Sequence, residues 1–355
     1  MKNTRSAAIL IILFALLASA CGALPVADQT DKPVAILPAE ELPEGGAPGT
    51  EAGAPAPEAR DADAQSVETE APEPLPPAEI RIGGVVIPAD AEEADLSGVD
   101  LSSFAPEELD EALNMLPSLK KLTLIDCGLD NAGYAALQDA HPDIRMIWEI
   151  HMSHWNIRTD TVAFSSMKTT ADEFYMNNDE AYYFRYCTDM EALDIGHNWV
   201  SDLSFLEYMP KLKILILVDN VKYKDENGRL RHLTDVSEIR YCPELVYLEI
   251  FANNISDLSF LEFTPKLRDL NISYNPVKDA TLLYSLPDLE RLWMEHTYIS
   301  GGDVSALRRT YPNARIVSEG EGSIDQGWRG VEKYYALRDC FKNNYIHPLF
   351  SGDLN

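Results

Sequence analysis

Apolar residues recur through the C-terminal two-thirds of the chain at one spacing. Leu119-x-x-Leu122-x-Leu124 leads to Cys127 and Leu129, and Met190-x-x-Leu193-x-Ile195 leads to Asn198 and Val200. The same line runs from Leu212 to Asn220, from Leu245 to Asn253, from Leu267 to Asn275 and from Leu289 to Thr297. Alternation around the central leucine turns one side of a short strand inward. A small polar or Cys residue then turns the chain, and an inward polar group there can satisfy backbone groups of neighbouring coils. Steps of 22 residues separate Met190 from Leu212, and Leu245 from Leu267 and Leu289. The stretch between two lines also repeats: SDLSFLEYMPKL from Ser201 is nearly SDLSFLEFTPKL from Ser256. Such self-similarity predicts stacked coils sharing a continuous core that no single repeat could bury alone.

The line L-x-x-L-x-L-x-x-N/C-x-L is the leucine-rich repeat pattern. Residues 96–317 resemble the leucine-rich repeat solenoids of bacterial surface proteins, with 22-residue coils similar to internalins. With the N-terminal features described below, the chain resembles lipid-anchored, clostridia-type leucine-rich repeat proteins. The resemblance implies an α/β solenoid with parallel β-strands on its concave face, where such proteins commonly bind other proteins. It implies no enzyme and no cofactor. No wall-sorting motif follows at Ser351–Asn355, which leaves a lipid as the expected anchor.

Around these lines the pattern varies. Ile82–Ile87 reads as a strand or hairpin, and Leu96-x-x-Val99-x-Leu101 as a first repeat strand. Pro106–Leu116 reads as a helix, with Pro early and acids in its first turn. Two coils are longer, Leu119 to Ile144 and Leu289 to Ala314. Each carries a helical stretch, Gly133–Ala140 and Gly302–Tyr311. Ile144 and Ile147 open the coil after the first of them, while Ala314 and Val317 begin a final partial strand. The aromatic-rich stretch Ile150–Cys187 reads as one degenerate coil, with a strand near Thr161–Ser165 and a helical turn near Asp179–Tyr186. An insertion of 11 residues lies between Asn220 and Leu245, where Val221–His232 alternates around Asn227-Gly228 and predicts a hairpin. Trp328–Asn343 has a helical apolar face and is expected to cap the open end of the solenoid.

Composition changes the picture mainly at the N-terminus. Lys2 and Arg5 precede an apolar run, Ala7–Leu17, too short for an ordinary membrane span, so residues 1–20 read as an export signal. Ala18-Ser19-Ala20-Cys21 is similar to the lipobox of bacterial lipoproteins, apart from Ala18, where a larger aliphatic residue is usual. The resemblance implies lipidation at Cys21; simple cleavage of a secretory signal is the other reading. Residues 21–79 hold half of the 22 prolines and 13 acids against two bases, and are expected to be a disordered acidic tether. The remaining divisions are a repeat domain at 80–317 and a capping segment at 318–355. A net charge of -29 argues against a nucleic-acid partner. The Cys residues lack a C-x-x-C pair, and Cys127, Cys187 and Cys242 are expected to be free and buried.

The candidate binding residues lie on the concave face: Trp148, Ile214, Ile216, Val218, Tyr247, Glu249, Phe251 and Trp293, rimmed by Asp194, Asp219, Asp269 and Glu295. Outward aliphatic and aromatic residues are unusual on a surface and point to a contact site. They predict a protein ligand, less readily a glycan, or else a patch that the 221–232 hairpin covers. The structural column is Cys127, Asn198, Asn220, Asn253, Asn275 and Thr297. Glu149, His151 and His154 are the nearest approach to a metal set, but E-x-H-x-x-H lacks the helical H-E-x-x-H order. The expected function is therefore adhesion or recognition by a lipid-anchored extracytoplasmic protein. A structural envelope spacer and a metal-dependent enzyme are the alternatives.

Overall fold

The computed structural model describes residues 79–167, 173–320 and 324–351. The expected export signal, Cys21 and nearly all of the acidic tether lie outside the described residues.

The folded chain begins with a hairpin of β1 (Glu79–Ile82) and β2 (Val85–Pro88), whose Ile82 and Ile87 join the solenoid core. Gly83 has φ +53 in its turn, and a Cβ there would lie 2.1 Å from Val99 Cγ1, so both conformation and space require glycine. Three parallel strands follow: β3 (Glu93–Asp95), β4 (Lys121–Thr123) and β5 (Arg145–Ile147). Helices α1 (Pro106–Asn114) and α2 (Asn131–Ala140) fill the returns between them. The first strand sits earlier than the spacing suggested. Ala94 pairs with Leu122 and Leu96 N–H bonds the carbonyl of Thr123, so Leu96 to Leu101 form the turn after the strand.

The antiparallel pair β6 (Glu149–His151) and β7 (Asn156–Arg158) interrupts the stack. Beyond it a second parallel sheet forms in the order β8 (Ala163–Ser165), β9 (Ala192–Asp194), β10 (Ile214–Ile216), β13 (Tyr247–Glu249), β14 (Asp269–Asn271), β15 (Arg291–Trp293) and β16 (Arg315–Val317). The insertion is the hairpin of β11 (Val221–Lys224) and β12 (Leu230–His232), in the connection between the neighbouring strands β10 and β13. The helical turn expected near Asp179–Tyr186 is α3 (Asn178–Ala181) running into a 3-10 turn.

The near-identical dodecapeptides form the returns. Asp202 and Asp257 accept bonds from Ser204 N–H and Ser259 N–H, starting the 3-10 turns Ser204–Tyr208 and Ser259–Phe263. Phe205, Leu206, Phe260 and Leu261 then point into the core. In the last complete coil, α4 (Gly301–Thr310) replaces the 3-10 turn. Parallel strands linked by helical returns around one apolar core make this an α/β leucine-rich repeat solenoid, with the strands on its concave face.

The C-terminal segment departs from expectation. Helix α5 (Glu332–Asn343) does not cap the solenoid end. It packs on the strand face, where Ala336, Leu337 and Cys340 form a second hydrophobic cluster with residues of the sheet. The strand face offered an apolar surface that needed covering, and the amphipathic segment supplies the cover.

Candidate binding surfaces

The strand-facing residues Ile214, Ile216, Val218, Tyr247, Phe251 and Trp293 come together, all buried, in the cluster that also holds Trp328 and Phe350. Glu249 lies among them, fully buried. The face proposed from the sequence is therefore contiguous, but the chain's own residues 324–350 fill it, so it is not an open surface. The covering element is not the 221–232 hairpin, whose Tyr223 and Leu230 are exposed.

Trp148 is not on this face. It sits in the solenoid core, stacked on Tyr134 at 5.2 Å and edge-on to Tyr183. The helix-bearing coil has one residue fewer between its turn and its strand, so Met146 pairs opposite Leu122 and Trp148 takes the inward position of Leu124. A one-residue slip sends every strand side chain to the other face. The coil at Ala314 repeats the shortening: Ile316 pairs with Leu292 in the core, and Val317 joins the strand face.

The closing segment runs back across the sheet from β15 to β8. Trp293 Nε1 donates to the Asp325 carbonyl at 3.1 Å. Trp328 is completely buried, 5.1 Å from Trp293 and 5.5 Å from Tyr247, with the Arg291 guanidinium 4.5 Å from its ring centroid. Arg329 Nη2 bonds Glu249 Oε2 at 2.6 Å, and Lys333 Nζ bonds Asp269 Oδ2 at 2.9 Å. Lys333 also pairs with Glu290. At the far end, Asn344 Oδ1 accepts bonds from Val162 and Ala163 N–H, and Arg268 donates to the Leu349 carbonyl.

Burial under this segment disturbs the carboxyls. It pushes Glu249 above the usual range despite Arg329, and Asp194 above it despite bonds from Ser165 and Gly196. Glu295 is raised to about 7, first by burial and then by the carboxyl of Asp325 facing it. Asp219 goes the other way. Burial alone would raise it, but His197 at 3.1 Å and His232 at 3.0 Å bond its two oxygens and hold it low.

The structural column stitches coil to coil. Asn220 Nδ2 donates to the Ile195 carbonyl, Asn253 Nδ2 to Leu217 and Asn275 Nδ2 to Ile250, each one coil back, at 2.8–3.1 Å. Their amide oxygens accept backbone N–H bonds from the preceding coil, at Val200, Asn220 and Ile255. Asn198 holds Met176 N–H in the same manner, and Cys127 Sγ reaches the Leu96 carbonyl at 3.1 Å. Thr297, with a shorter side chain, bonds only the Met294 carbonyl of its own coil. Cys127, Cys187 and Cys242 are free and buried, as is Cys340.

Glu149, His151 and His154 do not converge. His154 stacks on Phe174 at 4.2 Å, and the His151 backbone bonds Asn131. Among the described residues no three His, Cys, Asp or Glu side chains gather as a metal set.

One surface escaped the repeat pattern. On the flank beyond the Asn column, successive coils present Trp155 against Phe174 (5.5 Å), then Tyr175 against Trp199 (5.7 Å), then Lys224 over the Trp199 ring (5.5 Å). Phe174, Tyr175 and Tyr223 are 38%, 41% and 51% exposed, so these rings face solvent. The aromatic richness of Ile150–Cys187 was the available signal. Periodicity could not show that its rings align with Trp199, because the alignment is made by stacking and not by sequence spacing.

No protein-family profile matches the chain, and no curated protein matches it. Among solved structures it is similar to an internalin from Listeria monocytogenes, at 18% identity and a TM-score of 0.37 over 58% of this chain and 50% of that one. It is also similar to internalin C2 of the same organism, at 22% identity and a TM-score of 0.29 over 40% of this chain and 69% of that one. A leucine-rich repeat protein of Leptospira interrogans matches at 16% identity and a TM-score of 0.33, over 66% of this chain and 55% of that one. The matched region thus spans half the length of the first of these. The coil geometry of the chain itself makes it a leucine-rich repeat protein.

Proposed function

We propose that the protein is a non-catalytic recognition module, held outside the cytoplasm by a lipid on Cys21, that binds another protein through its aromatic flank. The observation that carries this reading is the pair of ring contacts Trp155–Phe174 and Tyr175–Trp199, with Phe174 and Tyr175 exposed, while the strand face is filled. Contiguous exposed aromatic surface is uncommon on a protein without a partner, and Trp and Tyr dominate binding hot spots. Export is supported by Lys2, Arg5, the apolar run Ala7–Leu17 and the small residues before Cys21.

The test is crosslinked capture from the native cell surface with the full chain and with Tyr175→Ala/Trp199→Ala. Loss of hot-spot rings is expected to weaken capture about thirtyfold, the equivalent of 2 kcal/mol. Undiminished capture by the folded double variant would sink the reading.

A further inference from the structure

We propose that the closing segment is a tethered ligand, and that the strand face binds in trans a partner polypeptide of the same chemistry: a Trp and an adjacent Arg leading into a helix with a Lys one turn on. This site is separate from the aromatic flank and stands on different observations.

The first observation is how residues 324–350 are held. An aromatic residue enters a pocket formed by Tyr247, Trp293 and the Arg291 guanidinium, and the next residue, Arg329, finds the buried Glu249. Four residues later Lys333 finds Asp269 and Glu290, and Phe350 closes edge-on against Tyr247 at 5.8 Å. A buried aromatic anchor flanked by charge pairs is the way one polypeptide recognises another.

The second observation is modularity. The segment contributes to its own hydrophobic cluster on the outer side of the strands, whereas the leucine core on their inner side is a separate cluster. Vacating the face would leave that core intact.

The third is chemical economy. Glu249 and Asp269 are buried beneath the segment, and burying carboxylates is unfavourable unless each finds a partner, here Arg329 and Lys333. A permanent cover would be served as well by apolar residues. Acids matched to bases discriminate among occupants. The raised carboxyls of Asp194, Glu249 and Glu295 are consistent with a face that would hold its charge more easily when hydrated.

The probe is a fluorescein-labelled synthetic peptide of residues 324–351, added to the full chain and followed by anisotropy and by hydrogen exchange of the chain's own residues 332–343. The wild-type chain is expected to bind it saturably and, at saturation, to lose protection in its own helix. Arg329→Glu/Lys333→Glu, which weakens the tether and leaves the face untouched, is expected to bind at least tenfold tighter, because the intramolecular competitor is removed. If that variant gives no cooperative melt, Trp328→Ala serves in its place. Adding Glu249→Arg is expected to abolish binding. Three results would each overturn the proposal. One is no saturable binding to any form. Another is equal binding of a scrambled peptide. The third is binding to the weakened chain alone while the wild-type helix stays protected, which would make the segment a fixed part of the fold.

Discussion

Asn275 shows how a single side chain joins two coils. Its Nδ2 reaches the Ile250 carbonyl and its Oδ1 receives Ile255 N–H, so one amide satisfies two buried backbone groups of the coil before it. Asn275→Ala orphans both and is expected to cost about 1–3 kcal/mol, read as a lower urea midpoint at unchanged slope. The residue before each rung has its own constraint. Asp126, His197, Asp219, Ala252, Tyr274 and His296 all have φ between 51 and 57. The chain must reverse there, and the left-handed conformation makes the turn. A residue with a Cβ pays about 1–2 kcal/mol for that conformation, and glycine loses about 0.5–1 kcal/mol in chain entropy. Ala252→Gly is therefore expected to stabilise the fold by about 0.5–1 kcal/mol, whereas Ala252→Val destabilises it in the same melt.

At the scale of elements, register decides which face a residue serves. The spacing of Ile144 and Ile147 suggests that Trp148 faces outward. Omission of one residue after α2 shifts the strand so that Met146 and Trp148 point inward instead. Trp148→Ala is accordingly expected to behave as a core truncation, costing about 3–5 kcal/mol in chemical denaturation and leaving ligand capture by the surviving folded fraction unchanged. The strand-face residues carry a related consequence. An aspartate at Ile216 or Phe251 would be buried beneath α5 rather than displayed. The sequence-stretch repeats from Ser201 and Ser256 also have a mechanical explanation. Each Asp caps a 3-10 turn, and the Phe-Leu pair behind it fills the core, which leaves little room for the two copies to differ.

Across the whole molecule, closure of the strand face ties stability to pH. Burial and Asp325 raise Glu295 to about 7, so the folded chain holds a proton there that the unfolded chain has released above the ordinary Glu value. A raised carboxyl contributes stability that is fully present below the unfolded value and is lost as pH rises through the folded one. The thermal midpoint is thus expected to fall as pH rises from about 4.5 to 7. Glu295→Gln should flatten that fall. An unchanged slope in the variant would show that other groups control it. The His197–Asp219–His232 cluster has the opposite sign. Its depressed Asp219 adds stability above the ordinary Asp value and loses it in acid, so the two effects occupy different parts of the pH range.

The solenoid, its strand positions from the line at Met190 to the line at Leu289, the Asn column and the 221–232 hairpin were all legible in the sequence. Each is a local or strictly periodic feature: an alternation, a turn residue at a constant offset, or an Asn-Gly between alternating strands. Three matters were decided only by tertiary structure. Trp148 turned inward because the length of a return sets register, and composition does not report that length. The rings of Trp155, Phe174, Tyr175 and Trp199 became one surface because stacking brought different coils to the same edge. The segment from Trp328 to Phe350 covered the strand face because its apolar side and bases matched that face and its acids. Periodicity marks which residues turn away from the core; where a distant amphipathic segment settles depends on complementarity between surfaces that exists only after the coils have stacked.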